Sequence, residues 1–434
     1  MEAEGVAAAR DCAAGAWAWV LEQVHWDAQG PWIPTSVGGS PAEPPEERDC
    51  LYDGIGGLAL ALAEIRLSRE WTEQERTLAD AIVTRLAGED LAGECCLYFG
   101  LAGSLVANVV LGDTVTATLL DRLDALATPS GWPSAVGMAP GSTFNDLIMG
   151  NAGVVLTCVW LGGERTDRLA ALGAEALVAV ATPAAHGLSW KMYEGDRDRV
   201  MPNYSHGTAG IVTALAVAGH QLHRPDLVEV ARLGAEHLVS LADLGGAGFR
   251  VPLQLPPAED REPYAYGWCH GPTGTARMFG ALRLAGVSTV AGRSCGDWTE
   301  RAARSLQDSG LPARLRPGFW DNDGRCCGTA GVLDATLSHA QEAGDLGQLA
   351  FADRLVAALV DRAVTSPAAP GLRYWRFREH RVDPPDQDPG VGWMQGAAGI
   401  AAALTRYVRV RELGLEAPRL RLPDDWWEGG STRP

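Results

Sequence analysis

Three cysteines of this chain stand beside glycine motifs in a pattern that could bind a metal ion. Cys269 and Cys326 each lie two residues before a Gly-x-x-Gly sequence, and Cys327 follows Cys326 directly. Because the two motifs belong to neighbouring copies of one repeat, the three thiols should converge in the fold. Thiolates are favoured ligands of Zn²⁺, which they hold in tetrahedral geometry. The pattern predicts a zinc site, with a Cys269–Cys326 disulfide as the main alternative.

Polar residues before other copies of the motif could perform acid/base chemistry. His206 and His270 each directly precede a Gly-x-x-Gly sequence, and Asp146 lies four residues before one. A histidine near the thiols could donate or accept a proton at neutral pH. Asp146 could instead cap a helix. His270 could be a fourth zinc ligand, or it could face the cavity and leave one ligand position open for substrate; we favour the open site.

A motif that is repeated seven times along the chain positions these side chains. The motif begins at Gly54, Gly100, Gly150, Gly207, Gly271, Gly328 and Gly396. Nearly every copy is followed by a small apolar run, which predicts a helix packed on all sides. Amphipathic segments lie between these runs. One extends from Thr72 to Ala87, with a possible capping box of Thr72 and Glu75, and its apolar residues share one face: Leu78, Ala79, Ile82 and Leu86. Another begins at Pro225, and the residues predicted for its apolar face are Leu227, Val230, Ala231, Leu238 and Leu241. The repeating unit is therefore an outer amphipathic helix, a loop, a glycine turn and an inner apolar helix.

Seven such hairpins predict an all-α fold, an α/α toroid of seven inner and seven outer helices. A single hairpin cannot bury its inner helix, whereas seven hairpins that close on themselves can. An open solenoid is the alternative, although its repeats are usually shorter and more uniform. Because every inner helix starts at the same motif, all seven starts should lie at one end of the ring. The glycines would let crowded helix ends approach each other.

Composition excludes several classes of protein. The chain has 434 residues and a net charge of −18, which argues against nucleic-acid binding because phosphate requires Lys and Arg. Residues 1–15 do not resemble a secretory signal, and no apolar run is long enough to cross a membrane. We therefore expect a cytoplasmic protein with reduced thiols. Residues 1–416 are predicted to form one toroid domain, and residues 417–434 a tail that packs against it or stays loose.

Six further cysteines are interpreted as small core residues rather than ligands. They are Cys12, Cys50, Cys95, Cys96, Cys158 and Cys295.

The motifs, taken together, resemble those of the lanthionine synthetase C-like family, the cyclases of lanthipeptide biosynthesis. The matching segments are Trp268-Cys269-His270-Gly271, Cys326-Cys327-Gly328, Ser205-His206-Gly207-Thr208-Ala209-Gly210, Asn145-Asp146 and Trp393-Met394-Gln395-Gly396. The resemblance covers roughly residues 50–410. It implies a double α-toroid with a catalytic zinc ion held by Cys269, Cys326 and Cys327.

The resemblance also implies a reaction and its partners. A peptide Cys thiol would add to dehydroalanine or dehydrobutyrine and form a thioether ring. The substrate would be a dehydrated precursor peptide with its leader, and separate dehydratase or kinase-type enzymes would prepare it. His206 is the candidate that protonates the enolate or takes the thiol proton. Asp146 would orient His206 or act as the acid itself, and the sequence does not assign the two roles.

This sequence departs from the commonest family pattern in two respects. The family often has Cys-His where this chain has Cys326-Cys327, although an all-Cys variant is known. Three thiolates on Zn²⁺ give a charge of −1, and a substrate thiolate would make it −2, which leaves the bound sulfur more electron-rich. Some bacterial cyclases also carry Arg four residues before the first zinc Cys, where this chain has Ala265. Arg381 and Lys191 are candidates to replace it.

Other functions remain open at this stage. The same chemistry could add glutathione or another free thiol to dehydroamino acids. The chain could also be a non-catalytic scaffold that binds leader peptide or a dehydratase. A glycoside hydrolase would need paired carboxylates, and Asp146 has no carboxylate mate at an equivalent repeat position.

Overall fold

Helices dominate the computed structural model. It describes residues 2–38, 43–88, 94–112, 117–134, 141–193, 195, 200–259, 262–313, 322–367, 369–379 and 382–427. In these residues, the helices that follow the glycine motifs are α2 (Ile55–Arg66), α4 (Leu101–Leu111), α6 (Asn151–Leu161), α8 (Thr208–Gln221), α10 (Pro272–Thr275) continued by α11 (Arg277–Leu284), α13 (Thr329–Ala343) and α15 (Ala397–Leu413). The intervening helices are α1 (Glu2–Glu22), α3 (Glu73–Leu86), α5 (Ala117–Ala125), α7 (Glu164–Ala179), α9 (Pro225–Leu241), α12 (Cys295–Gln307) and α14 (Leu349–Arg362).

Short antiparallel hairpins occupy several of the connections. Their strands are β1 (His25–Asp27), β2 (Gly30–Trp32), β3 (Thr182–Ala184), β4 (Gly187–Ser189), β5 (Thr289–Val290), β6 (Arg293–Ser294), β7 (Val364–Thr365), β8 (Arg373–Tyr374), β9 (Phe377–Arg378) and β10 (Asp386–Gln387). Each consecutive pair forms one two-stranded sheet, with registers such as His25 opposite Trp32 and Thr182 opposite Ser189. The strands connect helices and build no larger sheet among the described residues.

Burial separates the two sets of helices as the sequence predicts. In α2, every residue from Ile55 to Ile65 is buried, and in α8 every residue from Thr208 to Gly219 is buried. Such helices are apolar on all sides because they have no face toward water. The intervening helices bury only one stripe. The prediction of seven inner and seven outer helices is confirmed within the described residues, with α10 and α11 counted as one interrupted inner helix.

The outer helix α3 has the predicted start. Thr72 is its N-cap: the Thr72 hydroxyl accepts from the amide of Glu75 at 3.2 Å, and the Glu75 carboxylate accepts from the amide of Thr72 at 2.7 Å. This reciprocal pair satisfies two amides that the helix cannot satisfy itself. The predicted apolar stripe of Leu78, Ala79, Ile82 and Leu86 is buried.

The outer helix α9 agrees with its sequence pattern only in part. Pro225 occupies the first helical turn, and Leu227, Ala231 and Leu238 are buried as expected. Val230 and Leu241, predicted for the same face, are only half buried. The buried stripe is instead completed by Gly234, Ala235 and Val239, because packing against neighbouring elements decides which edge of an apolar stripe is covered.

The chain divides into two compact units. The first comprises Met1–Leu91, Ala107–Ala117 and Gly310–Leu420, and the second Ala92–Val106, Thr118–Ser309 and Arg421–Pro434. In the first unit, α15 packs against α1, α2 and α13, so the last motif helix lies beside the first. In the second unit, α8 packs against α6, α9 and α11. The boundary predicted at residue 416 stays a prediction.

The described part of the predicted tail is packed. In the first unit, the carbonyl of Pro418 accepts from Nε of Arg409 at 2.7 Å. In the second unit, Trp426 and Trp427 are buried, and Asp424 pairs with Arg277 at 2.8 Å. None of the helices in the described residues combines the length and apolar character needed to span a bilayer.

Candidate metal and acid/base site

The position two residues before each motif is held by main-chain hydrogen bonds between repeats. We call it the ladder position; its residues are Tyr52, Tyr98, Ile148, Ser205, Cys269, Cys326 and Met394. In the second unit, the amide of Ser205 donates to the carbonyl of Cys269 at 3.0 Å, and the amide of Ile148 donates to the carbonyl of Ser205 at 3.3 Å. These bonds place successive loops side by side.

The first unit repeats the arrangement across the two ends of the repeat series. The amide of Cys326 donates to the carbonyl of Met394 at 2.9 Å, and the amide of Met394 donates to the carbonyl of Tyr52 at 2.8 Å. The seventh repeat is therefore joined to the first by the same kind of bond. Since only main-chain atoms are used, these hydrogen bonds do not require a particular side chain at the ladder position.

Glycine is required in the motif because other backbone atoms come too close. A Cβ on Gly210 would overlap the carbonyl oxygen of Tyr204, and one on Gly274 would overlap that of Trp268. Neither glycine has a positive φ, so the constraint is space rather than backbone conformation. This confirms that the glycines permit close approach at the helix starts. It also holds the residues before each motif in a fixed loop.

The three predicted thiols are buried and close together. The Sγ atoms of Cys326 and Cys327 are 3.4 Å apart, and the Sγ atoms of Cys269, Cys326 and Cys327 all lie within 4.8 Å of one another. None of the nine cysteines forms a disulfide, so the alternative of a Cys269–Cys326 disulfide is not observed.

The thiol cluster has the donors and the spacing that a zinc ion requires. Zn–S bonds of about 2.3 Å in a tetrahedron place sulfur atoms about 3.8 Å apart. The distances within the cluster lie around this value, and small side-chain shifts would equalise them. Three sulfur ligands also suit zinc better than they suit oxygen-preferring Mg²⁺ or Ca²⁺.

His206 and Asp146 form a close pair in the second unit. Nδ1 of His206 lies 2.6 Å from Oδ2 of Asp146, and the Asp146 side chain is completely buried. The other oxygen of Asp146 accepts from the amide of Met149 at 2.9 Å. Asp146 thus closes the turn before its motif and fixes the imidazole of His206. It does not cap α6, because Gly150 is the N-cap of that helix and no side chain caps it. The His206 side chain is 23% exposed, so it is open to a substrate.

His270 lies beside this pair and next to a thiol in the chain. Its ring centre is 5.6 Å from that of His206, with the planes tilted by 34°. His270 is buried and directly follows Cys269. Among the described residues, the group that could share one metal ion contains the three cysteines and not His270. This favours the interpretation in which a ligand position stays open.

Two further residues lie directly before their motifs, and one of them, Gln395, contacts the thiol cluster. Nε2 of Gln395 donates to Sγ of Cys327 at 3.5 Å and to the hydroxyl of Tyr52 at 3.1 Å. Asp53 has a buried carboxylate oxygen that accepts no hydrogen bond, and burial, together with the charge of Glu47, raises the pKa of Asp53 to about 6. Gln395 and Asp53 occupy the same motif position as His206 and Cys327, which is the signal that could have identified them.

An arginine contacts the two tyrosines that flank Ala265. The guanidinium of Arg250 donates to the hydroxyl of Tyr266 at 3.0 Å and lies 4.4 Å from the ring centre of Tyr264. Asp243 pairs with the same guanidinium at 2.7 Å. Sequence reasoning missed Arg250 because 15 residues separate it from Ala265 in the chain.

Neither Arg381 nor Lys191, the candidates to replace the arginine that Ala265 lacks, is shown to contact the site. Arg381 lies outside the described residues. Lys191 is exposed, and its main-chain carbonyl accepts from Nδ2 of Asn145 at 3.0 Å, directly beside Asp146 in the chain.

The other six cysteines are core residues, as predicted. All six are buried. Burial raises the pKa of Cys50, Cys95 and Cys158 to about 12, which makes them poor metal ligands and poor nucleophiles at neutral pH.

Comparison with known families supports what the motifs indicate. Residues 45–413 match the family model described as lanthionine synthetase C-like protein. The chain belongs to this family. A comparison with curated proteins gives no match.

Solved structures place this lanthionine synthetase C-like chain among known folds. Nisin cyclase superposes with a TM-score of 0.57 at 15% identity, covering 83% of this chain and 89% of nisin cyclase. An unsaturated glucuronyl hydrolase specific for heparin gives a TM-score of 0.49 at 11% identity, covering 95% and 99% of the two chains. Cellobiose 2-epimerase from Spirochaeta thermophila gives 0.47 at 13% identity, covering 95% and 97%. The likeness to nisin cyclase confirms the α/α toroid class.

Proposed function

We propose that this chain is a zinc-dependent cyclase that forms lanthionine-type thioether rings in a dehydrated precursor peptide. Membership of the lanthionine synthetase C-like family supports a cyclase-type function. The observation that carries the finer proposal is the cluster of three buried thiols, Cys269, Cys326 and Cys327. Separate dehydratase or kinase-type enzymes would supply the dehydroalanine or dehydrobutyrine.

Cys269, Cys326 and Cys327 would hold the zinc ion. A bound zinc ion would lower the pKa of a substrate thiol and keep it ionised at neutral pH. The three protein thiolates exceed the charge of Zn²⁺ by one, so the site has a net charge of −1 before the substrate binds. A substrate sulfur in this surrounding keeps more electron density than one beside a neutral imidazole ligand, so it is the stronger nucleophile.

His206 and Asp146 would move the proton that the reaction transfers. When sulfur bonds to the β-carbon of the dehydro residue, the double-bond electrons shift toward the carbonyl, and the α-carbon must then gain a proton. Overall, one proton leaves the thiol and one arrives at carbon, so a single imidazole can accept and return it. Asp146 binds Nδ1 of His206, which leaves Nε2 as the nitrogen that exchanges the proton.

His270 would lie beside the proton-transfer pair. Its ring lies against that of His206, and it is buried beside Cys269. We propose that it limits how the substrate approaches His206. This is a positioning role: His270 would not bind the metal, because the substrate sulfur would take the fourth ligand position.

The test is metal content and ring formation in Cys327→Ala. We expect wild-type protein to contain about one zinc ion per chain, as one three-thiolate site predicts. The variant should lose zinc and lose cyclisation of a dehydrated peptide. Metal is measured by elemental mass spectrometry. Because cyclisation does not change the peptide mass, rings are counted by the thiols that no longer react with N-ethylmaleimide.

Cys158→Ala is the matched control. Cys158 is a buried thiol of α6 that belongs to no metal cluster among the described residues, so zinc and cyclisation should persist. Cyclisation by zinc-free Cys327→Ala would overturn the proposal. Addition of free glutathione without ring formation would support the glutathione alternative, and zinc binding without either reaction would support the scaffold.

A further inference from the structure

A side-chain carboxamide contacts one of the three clustered thiols. Nε2 of Gln395 donates to Sγ of Cys327 at 3.5 Å and to the hydroxyl oxygen of Tyr52 at 3.1 Å. Its Oε1 atom is buried and accepts no hydrogen bond. Gln395 directly precedes the seventh motif, as Cys327 directly precedes the sixth. The contact therefore joins the same position of two consecutive repeats.

One feature of the first unit holds this carboxamide, and a second leaves the space it needs. The hydroxyl of Tyr52 takes one of its two N–H groups, which directs the other toward the sulfur. A Cβ on Gly324 would lie 2.8 Å from Oε1 of Gln395 and 3.1 Å from its Cα, so only glycine leaves room for this rotamer. The nitrogen end of the carboxamide is thus held by Tyr52, and the oxygen end occupies the space that Gly324 leaves open.

The orientation of the carboxamide matches a thiolate. A metal-bound thiolate has no hydrogen and can only accept, whereas a carboxamide presents donors on nitrogen and acceptors on oxygen. The N–H side must therefore face Cys327 when the sulfur is ionised. The same N–H bond would draw electron density from a sulfur that shares a net negative site.

We propose that Gln395 is a positioning residue for the metal centre, whose N–H group stabilises the Cys327 thiolate in a site of three negative sulfurs. The inference rests on the proposed zinc site and deepens it. Three thiolates exceed the charge of Zn²⁺ by one, and a substrate thiolate would raise the excess to two. A neutral donor beside one sulfur offsets part of that charge without occupying a ligand position.

The experiment compares Gln395→Glu and Gln395→Met with the wild type. Glu keeps the shape but replaces the donor with an acceptor that carries charge, and Met keeps the length without a donor. Zinc affinity is measured by competition with a chromophoric chelator, and the cobalt(II)-loaded protein is measured by its sulfur-to-cobalt charge-transfer band. We expect zinc to bind about 10- to 100-fold more weakly in Gln395→Glu, the usual effect of losing a group that supports a ligand.

The cobalt band supplies a readout that a general structural defect would not shift. Loss of the N–H bond leaves the sulfur more electron-rich, so the band should move to lower energy in both variants. Gln341→Leu is the control, because Nε2 of Gln341 binds the carbonyls of Leu415 and Ala417 in the same unit. The control should leave affinity and band unchanged.

Each result separates this proposal from the proposed function. Wild-type affinity and an unshifted band in Gln395→Glu and Gln395→Met would overturn the role of Gln395 while leaving the zinc site intact. A wild-type protein that binds neither zinc nor cobalt would overturn the metal centre itself. If Gln395→Glu fails to fold, as judged by thermal unfolding, Gln395→Met still decides the question through the band position.

Discussion

Single residues at one motif position supply different chemistry in different repeats. The position directly before the glycine carries Asp53, His206, His270, Cys327 and Gln395. An acid, two imidazoles, a thiol and a carboxamide thus occupy equivalent places on a common backbone. In the proposed reaction, these side chains would act together with Cys269 and Cys326, which lie one position earlier in their repeats.

At this scale, the pairing of His206 with Asp146 can be tested by Asp146→Asn. The variant keeps a polar group of the same size beside Nδ1 but removes the charge that fixes the imidazole and balances its protonated form. We expect the rate constant of ring formation to fall by about 100-fold, in the range for general acid–base groups. Single-turnover cyclisation assays measure it, and zinc content should stay at the wild-type value.

Asp121→Asn is the control for this substitution. Asp121 is an exposed residue that pairs with Arg165 at 2.5 Å, outside the site. Its loss should leave the rate unchanged. An Asp146→Asn enzyme that cyclises as fast as the wild type would contradict the assignment of His206 and Asp146 as the proton-transfer pair.

The sequence predicts which chemical groups these residues bring together, but it does not predict which atoms make the contacts. Cys269, Cys326 and Cys327 could be grouped because the motif register alone brings them together. Gln395 occupies the same register, but its role depends on a rotamer that Gly324 and Tyr52 select. No spacing in the sequence encodes which atom of the carboxamide meets the sulfur.

Among the helices and segments, features set by neighbouring residues could be predicted from the sequence, and features set by distant residues could not. The start of α3 was predictable because Thr72 and Glu75 satisfy each other within four residues. The buried face of α9 was partly mispredicted, since its neighbours decide which edge of the stripe is covered. The packing of the segment around Asp424 was not predictable, because its partner Arg277 lies 147 residues away.

The C-terminal segment acts as a structural element of the second unit. The carbonyl of Asp424 accepts from the hydroxyl of Tyr204 at 2.8 Å, and its carboxylate accepts from Nε1 of Trp268 at 3.2 Å. Tyr204 and Trp268 stand two and one residues before His206 and Cys269 in the chain. The segment therefore braces the loops that carry the acid/base and metal candidates.

Arg277→Met tests this brace. Arg277 and Asp424 are both nearly completely buried, and the substitution leaves the carboxylate buried without its cation. We expect unfolding free energy to fall by about 3–5 kcal/mol, the usual result of breaking a buried pair from one side. Urea unfolding, followed by tryptophan fluorescence, measures the change.

Arg232→Met provides the comparison with an exposed ion pair. Arg232 pairs with Glu229 and Glu236 on the wet face of α9. Its loss should cost at most about 1 kcal/mol. If the two arginine variants were equally stable, the buried pair would not brace the second unit.

At the scale of the whole chain, main-chain bonds at the ladder positions join neighbouring loops within each of the two units. The repeat count and motif spacing predicted the toroid class, which depends only on seven helix pairs of one kind. They did not predict that the loops themselves would be joined. Those bonds connect residues of different repeats, which no local pattern reveals.

Hydrogen–deuterium exchange can test the ladder across the molecule. The amides of Ser205, Cys326 and Met394 donate to carbonyls of other repeats, so they should exchange at least about 100-fold more slowly than the amides of the exposed residues 246 and 247. Exchange resolved by peptide mass spectrometry measures both sets. Equally fast exchange would show that the bonds open continually and do not hold the loops.

The ladder also bears on how such a site evolves. Because the loops are joined through main-chain atoms, replacing a side chain before a motif would change its reactivity and would leave these main-chain bonds in place. A lineage built on this frame can exchange imidazole for thiol, or carboxylate for carboxamide, through single codon changes. A changed side chain before a motif therefore changes the chemistry presented at that helix start while the main-chain bonds between loops are kept.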